Sequence, residues 1–189
     1  MYVQLCTYQG IQKATISSIG AALASGHDLE SSGISVIPCG GKSNVFTAAA
    51  VFISFRIPTY CVWHSDENTA QAVGPCEKCK RPLDKASNPS ENRRLLRLLG
   101  LPEEDWPSHI KEKSACFKMD RETVVKAEIG EDLFERILGE EMTRFDIRKR
   151  DHALKNPKVV SAVTASASRS GKTSPSLDLI VKHVLAMKD

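Results

Sequence analysis

Three short polar segments follow apolar stretches of this 189-residue chain, and their side chains could bind a charged ligand. Residues 64–67 read His-Ser-Asp-Glu after an apolar run, and residues 39–42 read Cys-Gly-Gly-Lys after a β-branched run. Gln9 ends the first apolar stretch, and Lys13 follows one helical turn later. Carboxylates bind hard divalent ions, whereas glycine-turn amides and lysine bind phosphate. Metal-dependent phosphoryl chemistry is therefore the first hypothesis.

The elements that must position these segments alternate between strands and helices. Buried strands are predicted over residues 2–8, 33–41 and 57–64, and helices over 11–26 and 44–55. Such alternation predicts an α/β fold with parallel strands and right-handed crossovers. Because ligands bind beyond the carboxyl ends of strands in such sheets, the three polar segments should converge.

The second half of the chain changes character. Residues 65–90 are polar, rich in proline, glycine and lysine, and predict a long inserted loop. A short helix at 91–100 and a strand at 114–120 complete an α/β domain over 1–119. Residues 120–189 predict a helical C-terminal extension. Its helices break near Gly130, and the last two begin at the pairs Asn156-Pro157 and Ser174-Pro175.

With these segments in place, the sequence resembles the Toprim domain of OLD-family (overcoming lysogenization defect) ATP-dependent endonucleases. The resemblance runs from Tyr2 to Lys188 and rests on the stretches YQGIQK, GISVIPCGGKSN, VWHSDENT, ENRRLLRLLGLPEEDWPSH and HALKNPKVV. It implies an α/β Toprim-like parallel sheet with flanking helices, Mg²⁺ or Mn²⁺ as cofactor, and DNA as substrate. It also implies a larger parent protein with an N-terminal ATPase domain, which this chain lacks.

The family's acidic positions are largely substituted here. In the family the first strand ends in Glu-Gly with an Asp shortly after, and the third ends in Asp-x-Asp. The matching residues are Gln9, Lys13, His64 and Asp66, with Glu67 beside the last. Paired Mg²⁺ ions need several carboxylates, so the resemblance implies a weak Mg²⁺ or Mn²⁺ site at Asp66 and Glu67 and impaired or lost cleavage.

Other candidate residues carry two interpretations each. The resemblance makes Lys155 a catalytic lysine that supports the charged transition state, but a surface lysine before a helix start fits equally. Gly40, Gly41 and Lys42 could bind phosphate, or form a tight turn with a solvated lysine. Asp66 could equally be a helix cap or turn residue. His64 could bind a metal or phosphate, or be a neutral substitution.

The pair Cys76 and Cys79 has the spacing of a zinc knuckle, with Cys61 and His64 as further ligands. However, Cys61 and His64 are three apart on a predicted strand and should face opposite ways. The alternative is a pair of exposed loop thiols. Residues 64–66 and 75–79 together resemble the zinc-deaminase signature His-x-Glu followed by Pro-Cys-x-x-Cys. However, Asp66 stands where that signature has glutamate, and no helix is predicted at the two cysteines.

A P-loop is excluded at 170–173, because serine occupies the required first glycine position at 166. The net charge of +3 permits nucleic-acid binding without arguing for it. No secretion signal or membrane span is predicted, and the irregularly spaced cysteines indicate a reduced, cytoplasmic protein. The sequence is compatible with a homo-oligomer but does not determine the oligomeric state.

Overall fold

A computed structural model describes residues 3–7, 29, 32–67, 87–118 and 121–188. Within these ranges five strands form one sheet: β1 Val3–Thr7, β2 Ile34–Pro38, β3 Thr59–His64, β4 His109–Lys111 and β5 Ser114–Phe117. The helices are α1 Lys42–Ser54, α2 Ser87–Leu98, α3 Arg121–Ile129, α4 Glu131–Arg144, α5 Arg150–Lys155, α6 Pro157–Arg169 and α7 Pro175–Ala186. The predicted helix at 11–26 lies outside the described residues.

The sheet has the strand order β2-β1-β3-β5-β4. β1 pairs in parallel with both β2 and β3, and β3 pairs in parallel with β5. The α/β fold with a parallel sheet is therefore confirmed. β4 pairs antiparallel to β5 and was not predicted. It is only three residues long, too short to give a recognisable alternation of apolar and polar residues.

Two hydrophobic cores cover the two faces of the sheet. On one face, Cys61 and Trp63 of β3 pack with residues of α1 and α2. On the other, Tyr60 and Val62 of the same strand pack with the C-terminal helices. This alternation follows from the period of two in a strand. The C-terminal helices therefore share a core with the sheet, and the described chain has three layers.

The helix predicted at 91–100 begins earlier, at Ser87. Pro89 falls in its first turn, where a helix needs no backbone N–H donor. The polar start of this helix has the composition of a loop, but its residues Asn88 and Glu91 form hydrogen bonds with Lys42 and Ser43 of α1. None of the helices in the described ranges is both long and apolar enough to cross a lipid bilayer.

The two predicted helix starts are confirmed. Asn156 caps α6, where its side-chain Oδ1 accepts a hydrogen bond from the Lys158 backbone N–H at 2.9 Å. Ser174 caps α7 in the same way, because its side-chain Oγ accepts a hydrogen bond from the Leu177 backbone N–H. Both helices carry proline at the first position, where its fixed φ favours helix entry.

We expect Asn156→Ala to lower the free energy of unfolding by about 1 kcal/mol, because a helix-terminal donor loses its acceptor. Urea denaturation followed by circular dichroism measures the change. Asn156→Asp keeps the acceptor and serves as the matched control. Equal stability of the alanine and aspartate variants would show that the cap contributes nothing.

Candidate functional site

The carboxyl ends of β1, β2 and β3 lie at the same edge of the sheet. Thr7 at the end of β1 is opposite Pro38 of β2 on one side and Val62 of β3 on the other. Segment 39–42 starts directly after β2, segment 64–67 starts at the last residue of β3, and the two are in contact through Lys42 and Asp66. The predicted convergence therefore holds for these two segments. Gln9 and Lys13 lie outside the described residues.

Lys42 is the first residue of α1, directly after the Gly40–Gly41 turn. Gly40 has φ +76°, a left-handed conformation that glycine adopts without steric cost and that turns the chain out of β2. This turn directs the Lys42 side chain under the sheet edge, where the residue is only 4% exposed. The alternative of a solvated lysine is therefore wrong.

The buried Lys42 ammonium has three oxygen partners. Its Nζ lies 3.0 Å from Asp66 Oδ2. It also donates to the Ser65 backbone carbonyl and to Asn88 Oδ1, each at 3.2 Å. A lysine ammonium has three N–H donors, so these three acceptors match its full donor capacity. The charge is thus compensated by a carboxylate and by hydrogen bonds, as a buried charge requires.

Asp66 follows β3 in a left-handed conformation, with φ +63°. Aspartate is among the few residues other than glycine that adopt this region readily. This turn ends β3 and brings the carboxylate onto Lys42. The interpretation of Asp66 as a turn residue is thus compatible with its role as the counterion of a buried lysine.

Asn92 of α2 holds the end of β3 in place and is fully buried. Its Nδ2 donates to the Ser65 carbonyl at 3.0 Å and to the Asp105 carbonyl at 2.7 Å. Its Oδ1 accepts from Trp63 Nε1 at 3.3 Å. The Ser65 carbonyl is thus shared by Lys42 and Asn92, so one network joins α1, β3 and α2.

Glu67, the second candidate metal ligand, also has a lysine partner. Its Oε2 lies 3.2 Å from Lys118 Nζ, just beyond the end of β5. Both side chains are partly exposed, so this pair stabilises the fold little. The pair nevertheless affects the charge of the site. Asp66 is paired with Lys42 and Glu67 with Lys118, so these four charges sum to zero.

The remaining predicted site residues are distributed as follows. His64 ends β3 opposite Phe117 and is partly buried. By strand alternation it lies on the face opposite Cys61, as expected. Lys155 ends α5, but its side chain is outside what the structure describes. Cys76 and Cys79, the predicted zinc pair, also lie outside the described residues.

Sequence reasoning missed Asn88, Asn92 and Lys118. Asn92 carried a detectable signal, because asparagine is unfavourable in the middle of a helix unless its side chain has a specific partner. Asn88 was not identified because it falls in the loop predicted over residues 65–90, whereas in the structure it lies on a helix. Lys118 carried no signal, since a lysine after a strand is ordinary.

The comparisons with known proteins agree with this fold. Residues 13–66 match the family described as overcoming lysogenization defect protein-like, TOPRIM domain. The C-terminal region of the OLD protein from Xanthomonas campestris pv. campestris is similar in structure, with a TM-score of 0.58 and 10% identity, over 98% of this chain and 96% of that chain. The C-terminal region of the Burkholderia pseudomallei OLD protein has a TM-score of 0.52 and 16% identity, over 97% of each chain. No curated protein matches the sequence.

By architecture the chain is an α/β protein with a mostly parallel sheet of the kind seen in OLD C-terminal regions. The resemblance to OLD-family Toprim domains is confirmed: residues 13–66 match the model of an OLD-like Toprim domain. This match indicates a relationship to nucleases, and Toprim domains generally use divalent metal ions.

The residues present do not fit a pair of divalent ions. A metal at Asp66 would have to share this carboxylate with the buried Lys42 ammonium, whose Nζ lies 3.0 Å from Oδ2 and repels a cation. His64 stands where the resemblance places an acid, and histidine favours softer transition metals. Within the described ranges no group of three or more His, Cys, Asp or Glu residues is arranged to hold a metal ion.

Proposed function

We propose that this chain is an OLD-type Toprim domain whose metal-dependent phosphodiester cleavage is lost. The observation that carries the proposal is the buried ion pair between Lys42 and Asp66. Asp66 is the acid that remains at the matched family positions, and its charge is satisfied by a side chain of the same protein. The lysine ammonium occupies the space and supplies the positive charge that a metal ion would otherwise provide.

The electrostatic effect is large enough to decide the outcome. A dication about 4 Å from a carboxylate gains roughly 8 kcal/mol of gross attraction at an effective dielectric of about 20. The Lys42 ammonium at a similar distance repels the ion by the same amount, so the attraction of Asp66 is cancelled. Gln9 and Lys13, at the other matched positions, supply no carboxylate. Little remains to offset the dehydration of Mg²⁺, which loses its water reluctantly.

The alternative function, a non-catalytic binding module for nucleic acid or protein, is compatible with the same observation. An acidic cluster repels DNA phosphates when no metal is bound, whereas the described charges at this edge sum to zero. Residues 68–86, which lie between the described ranges, add Lys78, Lys80, Arg81 and Lys85, which could contact phosphate. Binding of this kind should weaken steeply with salt.

The test is incubation of the purified chain with supercoiled DNA and Mg²⁺ or Mn²⁺. We expect no nicking above the background of the Asp66→Ala variant. DNA binding is measured on the same samples over a series of salt concentrations. Binding that weakens with salt would indicate a nucleic-acid-binding module, whereas no binding would exclude one.

Nicking by the unmodified chain that disappears in Asp66→Ala would contradict the proposal. Nicking that is unchanged in Asp66→Ala would indicate a contaminating nuclease and leave the expectation intact. Absence of DNA binding even at low salt would remove nucleic acid as the partner of the alternative function.

A further inference from the structure

The C-terminal end of α1 presents apolar side chains to solvent. Within the described ranges four large apolar side chains are exposed, and three of them lie here: Val51 and Ile53 at the end of α1, and Phe55 directly after it. Phe55 is the most exposed of them, at 73%. The fourth is Leu179 of α7. Helices on a protein surface normally direct polar and charged side chains to water, so this end of α1 has the character of a contact surface.

The exposed side of α1 carries no charge. Residues 43–55 contain no lysine, arginine, aspartate or glutamate, and the Lys42 ammonium before them is buried against Asp66. In a contact between two identical chains related by a two-fold axis, each residue on the axis faces its own copy. A charged residue there would face a like charge, which costs affinity. Because α1 lacks such residues, its exposed side is electrostatically compatible with a second copy of itself.

The neighbouring parts of the described chain lead away from this end of α1. Leu29, shortly before β2, is buried in the core on the opposite face of the sheet. Asp66 and Asn88 both bind Lys42 at the start of α1, about 20 Å from the exposed end. The sequence between them, residues 68–86, contains six charged side chains, which an apolar contact would have to desolvate. These observations favour a second copy of the chain as the occupant.

We propose that the outer face of α1 is a two-fold contact between two copies of this chain. This face consists of five exposed residues at helical spacing: Asn44, Thr47, Val51, Ser54 and Phe55. In an antiparallel pair centred on Val51, Phe55 of one copy lies against Thr47 of the second copy, because both are four residues from the centre. The small side chains of Thr47 and Ser54 let the two helices approach closely around the large Phe55 ring.

The area of this face sets the expected strength of the contact. A helix of 13 residues is about 20 Å long, so two such helices crossing on one face would bury roughly 600–1,000 Å² in total. That area is below the range of stable interfaces, so the contact should be weak, with a Kd of about 10–500 µM. The inference does not depend on the proposed function, because the outer face of α1 contains neither Lys42 nor Asp66 and involves neither metal nor DNA.

The test is sedimentation equilibrium of the reduced full chain from about 5 to 500 µM, where we expect a monomer–dimer equilibrium. Val51→Glu should raise the Kd at least about tenfold, because it places two carboxylates opposite each other at the centre of the contact. Leu179→Glu is the matched control: Leu179 is 39% exposed and Val51 47%, but Leu179 lies on α7. Its Kd should equal that of the unmodified chain.

Three outcomes would overturn the proposal. The unmodified chain could remain monomeric over the whole concentration range, a result that needs no variant to fold and leaves the face to a partner of different sequence. A dimer could form that Val51→Glu does not weaken, which would place the contact elsewhere. Val51→Glu and Leu179→Glu could weaken the dimer equally, which would indicate non-specific apolar association. Circular dichroism of both variants checks that these exposed substitutions leave the helices intact.

Discussion

Replacement of Lys42 by methionine is expected to lower the free energy of unfolding by about 2–3 kcal/mol. Methionine has a similar length but no charge, so the Asp66 carboxylate and the Asn88 amide oxygen lose their shared donor. A fully buried ion pair that loses one partner costs somewhat more. The Asp66 side chain is 20% exposed, and water can partly replace the ammonium. Urea denaturation followed by circular dichroism gives the value.

The matched control is Lys118→Met, which removes the partner of Glu67 from an exposed pair. Its cost should be below about 1 kcal/mol, as for most surface ion pairs. A second substitution, Asp66→Asn in the Lys42→Met background, removes the unpaired carboxylate and should recover part of the loss. If Lys42→Met is no more destabilising than Lys118→Met, the buried ion pair does not stabilise the site. The proposal that the Lys42 ammonium takes the place of a metal ion would then be wrong.

The second large effect is expected from Asn92→Leu, which should cost about 3 kcal/mol or more of unfolding free energy. Leucine keeps the branching and the number of heavy atoms of the asparagine side chain, but its methyl groups are larger and cannot form the three hydrogen bonds, which are lost. The indole N–H of the fully buried Trp63 then loses its acceptor, and the Asp105 carbonyl, which belongs to an exposed residue, loses its amide donor. Each buried polar group without a partner costs about 1–3 kcal/mol. Thermal and urea unfolding both report the change.

Asn92→Asp distinguishes the polar contribution from the steric one. Aspartate keeps the acceptor for Trp63 but removes the amide donors to the two carbonyls. A matched surface control is Asn44→Ala, whose exposed side chain makes one hydrogen bond, to the Cys39 carbonyl at 2.9 Å. That variant should lose less than about 1 kcal/mol. Similar losses for Asn92→Leu and Asn44→Ala would show that the Asn92 network does not hold the strand end.

Much of the scaffold could be predicted because its signals are local. The apolar runs at β1, β2 and β3 specify strands, and their alternation with helical segments specifies a parallel sheet. The caps at Asn156 and Ser174 depend on neighbouring residues alone. The convergence of segments 39–42 and 64–67 followed from the rule that parallel strands end at one edge.

The sequence by itself determined the order of elements and the substitution of acids at the matched positions, because residue types and spacing carry that information. Tertiary structure alone decided which partner each charged or reactive group has. The burial of Lys42 on Asp66 and the insertion of Asn92 beneath β3 both join residues distant along the chain. An ammonium or an amide has the same composition whether solvated or buried. Its energy and reactivity depend on the atoms that folding places around it.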